Sequence, residues 1–138
     1  MHATSQSTDA TARAAVTVGN FAGVHVGHRA IIRRARDLAD DGVRGAGRVV
    51  AEVFEPHPRG VLAPGSEPAR LTSFDRRSQL LKSAGADTVA QLEPSPELLA
   101  LSPEAFVQRV VARWQQTSWV EGAGYRYGKA RAGDVDLL

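Results

Sequence analysis

Short β-branched runs alternate along this chain with longer segments of helical spacing, and glycine or proline closes most of them. Ala15-Val16-Thr17-Val18-Gly19 predicts a strand that meets a loop at its glycine. After the loop 20–26, a helix is predicted from Gly27 to about Asp41. Ile31, Ile32, Ala35, Leu38 and Ala39 fall on one face, and Arg33, Arg34, Arg36 and Asp37 on the other. Gly42 is its expected stop. Arg48–Phe54 reads as a second, buried strand ended by Pro56 and Pro58. The stretch Gly60–Pro68, with its Pro64-Gly65 pair, predicts a surface loop. Ser73 is suited to cap a helix running to about Ala84, with Leu80 and Leu81 inward and Gly85 as terminator. Thr88–Leu92 predicts a third strand. Ser102-Pro103-Glu104 then marks a helix start: serine at the N-cap, proline at the first helical position, an acid in the first turn. Phe106, Val107, Val110, Val111 and Trp114 follow at helical spacing, and Trp119-Val120 predicts a fourth strand leading into the glycine-rich Gly122–Gly133.

Strands alternating with helices over this length predict βαβ units on a parallel sheet, an α/β fold. No internal repeat interrupts the alternation. Ligands on such sheets bind outside the carboxyl ends of the strands. Gly19–His28, Phe54–Arg59 and Gly122–Gly128 all follow predicted strands, so all three are expected to converge on one edge.

Length and composition narrow the class. The 138 residues are one domain's worth, a size that buries roughly 68–70% of its unfolded surface. With no cysteine the chain forms no disulfide, which fits a reducing compartment, and a cytoplasmic protein is expected. The formal charge is only +2 and no Lys/Arg run reaches the length of a basic arm, so no nucleic-acid partner is expected. Arginine's planar donor fork suits phosphate, and small-molecule nucleotides fit better than a polymer. No apolar stretch approaches the roughly 18–20 residues of a membrane span, so no membrane partner is expected. Residues 1–14, rich in Ser, Thr and Ala with one Arg13, lack the apolar core of a signal peptide. They read as a disordered leader before a domain at 15–138.

The candidate chemistry begins at Gly19-Asn20-Phe21-Ala22-Gly23-Val24-His25-Val26-Gly27-His28, which leaves a strand and enters a helix. A helix N-terminus offers unpaired N–H groups and a partial positive charge to a phosphate. Gly27 admits close approach, and His25 and His28 set two imidazoles beside the anion, where phosphate would favour their charged form. Nucleotidyl transfer needs this kind of positioning and charge stabilisation rather than a protein nucleophile. The plainer reading of His25 is a buried histidine bonded to backbone, and spacing alone leaves both open. His25, His28 and His57 match no recognised zinc spacing, so no protein-bound metal is assigned.

Taken together, several motifs resemble the prokaryotic bifunctional riboflavin kinase/FMN adenylyltransferases, the bacterial FAD synthetases. They are the Gly19–His28 stretch with its His-x-Gly-His, Val53-Phe54-Glu55-Pro56-His57-Pro58-Arg59 continuing into Leu71-Thr72-Ser73, Leu101–Phe106, and Tyr125-Arg126-Tyr127-Gly128 with Arg131-Ala132-Gly133-Asp134. The resemblance spans about Val16 to Leu138. It implies the Rossmann-like parallel sheet of the His-x-Gly-His nucleotidyltransferase superfamily, C-terminally incomplete. The implied reaction transfers AMP from ATP to FMN, with Mg²⁺, giving FAD and pyrophosphate.

By the same resemblance His25 and His28 would be catalytic. Gly19, Asn20, Phe21, Gly23, Gly27, Gly122, Tyr125 and Arg126 would join them around ATP. Phe54, Pro56, His57, Pro58 and Arg59 would line the flavin, the two prolines making a stiff apolar wall. Without the resemblance, Pro-x-Pro reads as a strand terminator, and Tyr125 and Tyr127 as half-buried strand residues. The chain departs from the family at Ala22, where Asp is usual, at Ala123-Gly124, and at Glu121, where valine is expected and looser packing is inferred. It is expected to stop short of the family's Ser-Ser-Thr-x-x-Arg segment and to lack the riboflavin kinase domain, so a separate riboflavin kinase is an expected partner. The alternative is a catalytically degenerate flavin- or nucleotide-binding relic, or a fragment.

Overall fold

The computed structural model describes residues 14–41, 45–66, 72–114, 117–122, 126–129 and 133–134. Four parallel strands form its centre: β1 (Ala14–Gly19), β2 (Arg48–Phe54), β3 (Thr88–Leu92) and β4 (Thr117–Trp119), in the order β3-β2-β1-β4. Ala14 pairs with Arg48 and Gly19 with Val53, Val50 pairs with Thr88 and Phe54 with Leu92, and Val16 pairs with Trp119. The chain thus moves outward from β1 to β3 and returns to the far side of β1. On open sheets of this kind ligands bind at such a reversal, outside the carboxyl ends of the strands, here those of β1 and β4.

Helices cover both faces because both faces of the strands are apolar. On one side α1 (Val26–Ala39) and α3 (Phe74–Ala84) set Ile32, Ala35, Ala39 and Leu81 against Ala15, Val49, Ala51 and Val53. On the other, α4 (Pro96–Leu99) and α5 (Pro103–Trp114) set Leu98, Phe106 and Val110 against Val16, Val18, Val50 and Leu92. A short α2 (Pro58–Leu62) follows β2, and two two-residue antiparallel ribbons pair Asp40–Asp41 with Gly45–Ala46 and Arg126–Tyr127 with Gly133–Asp134. Among the described residues no helix is long and apolar enough to cross a membrane.

Local chemistry sets the helix ends. The Ser73 and Ser102 hydroxyls accept the Arg76 and Ala105 N–H groups at 3.1 and 3.2 Å, and Gly85 ends α3 at φ 124°. Several expected boundaries shift. Ala14, placed in the leader by its sequence, is buried in β1. Helix α1 starts one residue early and stops at Ala39, because Asp40 turns extended into the first ribbon; Gly42 lies outside the described residues. Residues 60–62 of the expected surface loop are helical, since His57 caps α2 and Pro58 takes its first position. Strand β4 ends at Trp119, although the Val120 N–H still reaches the Val16 carbonyl at 2.9 Å. Val111 faces solvent, while Arg36 is drawn in from the polar face by Asp40 and Asp87.

A buried carboxylate of the sheet is paired with a partly exposed arginine. Glu52 of β2 is 2% exposed and meets the Arg113 guanidinium of α5 at 2.8 Å.

Candidate functional site

The loop after β1 is bent by three left-handed positions within four residues: Phe21 (φ 53°), Gly23 (φ 74°) and Val24 (φ 45°). A β-branched residue at positive φ is strained, and such strain persists only where its surroundings hold it. Here Phe21 and Val24 are both buried, so packing of their side chains fixes the turn. The Phe21 ring lies 3.4 Å from where a Cβ on Gly19 would stand, and its edge faces the His28 ring at 5.1 Å between centroids.

His25 and His28 form a reciprocal cap on α1. The His25 Nδ1 accepts the Gly27 and His28 N–H groups at 3.1 and 3.4 Å, and the His28 Nδ1 accepts the His25 N–H at 3.2 Å. The two rings stack at 3.6 Å between centroids. A backbone N–H can only donate, so both Nδ1 atoms carry lone pairs and the ring protons sit on Nε2. Both imidazoles thus offer an N–H donor while neutral.

This corrects one expectation. The N–H groups of Gly27 and His28 are not free for a phosphate, because His25 takes them. Without a phosphate beside it, His28 is held neutral: burial first, and neighbouring His25 second, lower its pKa to about 4. Gly27 also gains a second reason to be glycine, since a Cβ there would lie 3.0 Å from His25 Cε1 and 3.2 Å from Nδ1.

Beside this loop sits the turn after β2. Phe54 is half-buried at the strand's end, the Glu55–Pro56 bond is cis, and Pro56 is exposed. His57 accepts the Arg59 N–H on Nδ1 at 3.0 Å, and Pro58 opens α2. Burial lowers the His57 pKa, with the charges of Arg59 and Arg77 adding to the effect.

Arg77 joins the two segments and escaped the sequence reading. It lies on the buried face of α3 and is 6% exposed. Its guanidinium donates to the Asn20 carbonyl at 2.7 Å, the Phe54 carbonyl at 3.3 Å and the Ser73 carbonyl at 3.4 Å, and meets the Glu55 carboxylate. The available signal was an arginine at the spacing of the apolar positions Phe74, Leu81 and Ala84. Asn20 Oδ1, buried next to this clamp, has no partner among the described residues.

The third segment is described only in part. Gly122 lies beside α1, a Cβ there standing 4.0 Å from Ile31. Tyr125 and the 123–124 departure lie outside the described residues, and of Arg126 only the backbone pairing with Asp134 is described. Gly128, at φ 79°, passes so close to the start of α5 that a Cβ would meet Pro103 backbone at 2.9 Å.

Glu121 is not a sign of loose packing. Its carboxylate accepts the Val18 N–H and the Trp119 Nε1–H at 2.7 Å each, and the Thr17 hydroxyl at 3.1 Å. Burial pushes its pKa up to about 8 against the pull of those three hydrogen bonds.

Comparison with known proteins agrees with this geometry. The FAD synthetase sequence profile matches residues 7–138. The chain belongs to the FAD synthetase family. Among its curated relatives are bifunctional riboflavin kinase/FMN adenylyltransferases of Pseudomonas fluorescens, 37% identical over 123 residues, and of Escherichia coli K12, 32% identical over 124. The alignments cover 88% and 89% of this chain but 38% and 39% of the relatives. A crystal structure titled macrolide-efflux protein, from Streptococcus pneumoniae, superposes with a TM-score of 0.75 at 21% identity, over 93% of this chain and 41% of that one. That likeness shows the fold, and the family's Rossmann-like parallel sheet is the one found here.

Proposed function

We propose that this FAD synthetase domain is an FMN adenylyltransferase, in which an FMN phosphate oxygen attacks the α-phosphorus of ATP in line. The new P–O bond joins FMN to AMP, the bond to the bridging oxygen breaks, and pyrophosphate leaves. The observation that carries the reading is the His25–His28 pair, two imidazoles whose Nδ1 atoms are held by backbone N–H groups, leaving Nε2–H as the donor, at the start of α1 beside the strand-order reversal. Donors fixed before substrate arrives stabilise developing phosphate charge without reorganising.

In this reading His25 and His28 are the catalytic residues. The backbone of Gly19, Asn20, Phe21, Gly23 and Gly27 shapes the ATP loop, and Gly122, Tyr125 and Arg126 border the nucleoside. Phe54, Pro56, His57, Pro58 and Arg59 take the flavin. A bound triphosphate would raise the His28 pKa from about 4 and draw a proton onto the ring.

Magnesium neutralises phosphate charge in such reactions. Such an ion is held by substrate phosphates with at most one or two carboxylates; among the described residues no three His, Asp or Glu groups gather into a cation site. FMN would come from a riboflavin kinase, the second activity in the relatives' names, and the cytoplasm supplies the ATP. Calorimetric titration with ATP and with FMN separately tests the reading at the level of binding: both are expected to bind, and binding of neither contradicts it.

A further inference from the structure

Two substrates that must meet atom to atom are bound, in this reading, on two different segments. The ATP loop leaves β1 at Asn20, and the flavin turn leaves β2 at Phe54. Backbone pairing between the two strands carries the register only as far as Gly19 with Val53. Past that point each segment diverges into its own turn.

The guanidinium of Arg77 spans the gap. One nitrogen, Nη1, serves the Asn20 carbonyl at 2.7 Å and the Phe54 carbonyl at 3.3 Å, so the first residues beyond the ladder on both sides share a donor. The other terminal nitrogen meets the Glu55 carboxylate, one residue further along the flavin turn. Nε returns to the Ser73 carbonyl at 3.4 Å, which fixes the fork to its own helix, and the group stands 5.8 Å over the Phe74 ring. A planar fork with five donors can make these contacts at once, whereas an ammonium on a flexible stem cannot. At 6% exposed, the charge is held away from bulk water and is paired. Its field also reaches the flavin turn, where it helps to lower the His57 pKa.

We propose that Arg77 is a positioning residue that holds the loop after β1 and the turn after β2 in one fixed relation, so that the phosphate of one substrate lies in line with the phosphorus of the other. This rests on the adenylyltransferase reading. Arg77 touches neither reacting group and acts through Asn20, Phe54 and Glu55. Each half-site keeps its own binding residues without it, so the loss falls on the encounter of the two substrates. A misplacement of about 1 Å can cost about 10² in rate.

The test uses the full chain with Arg77→Met and Arg77→Lys, the latter keeping a positive charge beside Glu55 should the former fail to fold. The expected result is kcat lower by about 10²-fold in Arg77→Met, with KM for FMN and for ATP each changed less than about threefold and Arg77→Lys intermediate. A second readout needs no turnover. His25 and His28 report on one segment and His57 on the other, so imidazole NMR signals of both sets should shift in either variant. A folded variant with wild-type kcat, a loss confined to the KM of one substrate, or a shift of His57 alone would overturn the proposal. If the wild-type chain forms no FAD, the reading of the reaction falls, and the imidazole shifts still decide whether Arg77 joins the two segments.

Discussion

Glu121 Oε2 accepts the Val18 N–H at 2.7 Å, directly beyond the last backbone bond between β4 and β1, from Val120 N–H to the Val16 carbonyl. A side chain thus takes over the ladder at the strand-order reversal. The acid sits near 8 when folded against 4.5 ordinarily, so between those values the folded chain keeps a proton that the unfolded chain releases. Stability should therefore fall as pH rises through that window and level off above it. In Glu121→Gln the amide oxygen can still serve Val18 and Trp119 while the amide N–H₂ donates to Thr17. Its melting temperature is expected to be flatter than wild type from about pH 5 to about pH 8. Parallel profiles for the two proteins would contradict the assignment.

His28 carries the opposite sign. Its pKa of about 4 lies below the ordinary 6.5, so the unfolded chain binds the proton first. Its contribution to stability is fully present above about 6.5 and is lost as pH falls toward 4. NMR titration of the imidazole should place its midpoint near 4 in the free protein, and excess ATP should move it up. A midpoint near 6.5 without ligand would mean that the cap on α1 does not form in solution.

Gly27→Ala separates local propensity from packing. Alanine in place of a helical glycine normally gains about 1 kcal/mol. Here the new Cβ would press on His25 at 3.0 Å, closer than the ring can accept without moving. Displacing a cap costs about 1 kcal/mol. The expected outcome is no gain in melting temperature and weaker ATP binding by calorimetry; a stabilised variant with unchanged affinity would count against the cap.

The Glu52–Arg113 pair should matter chiefly when broken. Arg113→Met leaves a carboxylate that is 2% exposed without its cation. Removing one partner of a buried pair typically costs 3–5 kcal/mol. The 43% exposure of the Arg113 side chain puts the expected loss nearer about 2 kcal/mol. Adding Glu52→Gln should recover part of it in denaturant melts. A single variant as stable as wild type would show that Glu52 finds other donors.

What could be read from the sequence was local or periodic. The β-branched runs of β1 and β2 are buried on both faces and need no alternation to stand out, and Ser73 and Ser102 announce their helices within four residues. Ser95-Pro96-Glu97 carries the same start signal as Ser102-Pro103-Glu104, yet α4 is only four residues long and its apolar period never develops. What escaped depends on partners distant in the chain. Arg77 finds Asn20 and Phe54 only after β1 and β2 pair, and Glu121 finds Thr17 and Val18 across a strand-order reversal. The two histidines were found by motif, but their mutual capping follows from ring orientations and the neutral state of His28 from burial, neither of which spacing encodes.

The most direct measurement of the central claim is FAD formation by the purified chain from FMN, ATP and Mg²⁺, followed by chromatography, beside a His28→Ala variant shown to be folded. FAD that accumulates with wild type and falls by at least about 10²-fold with His28→Ala is the predicted result. FAD at equal rates from both proteins, or none from the folded wild type, would contradict it.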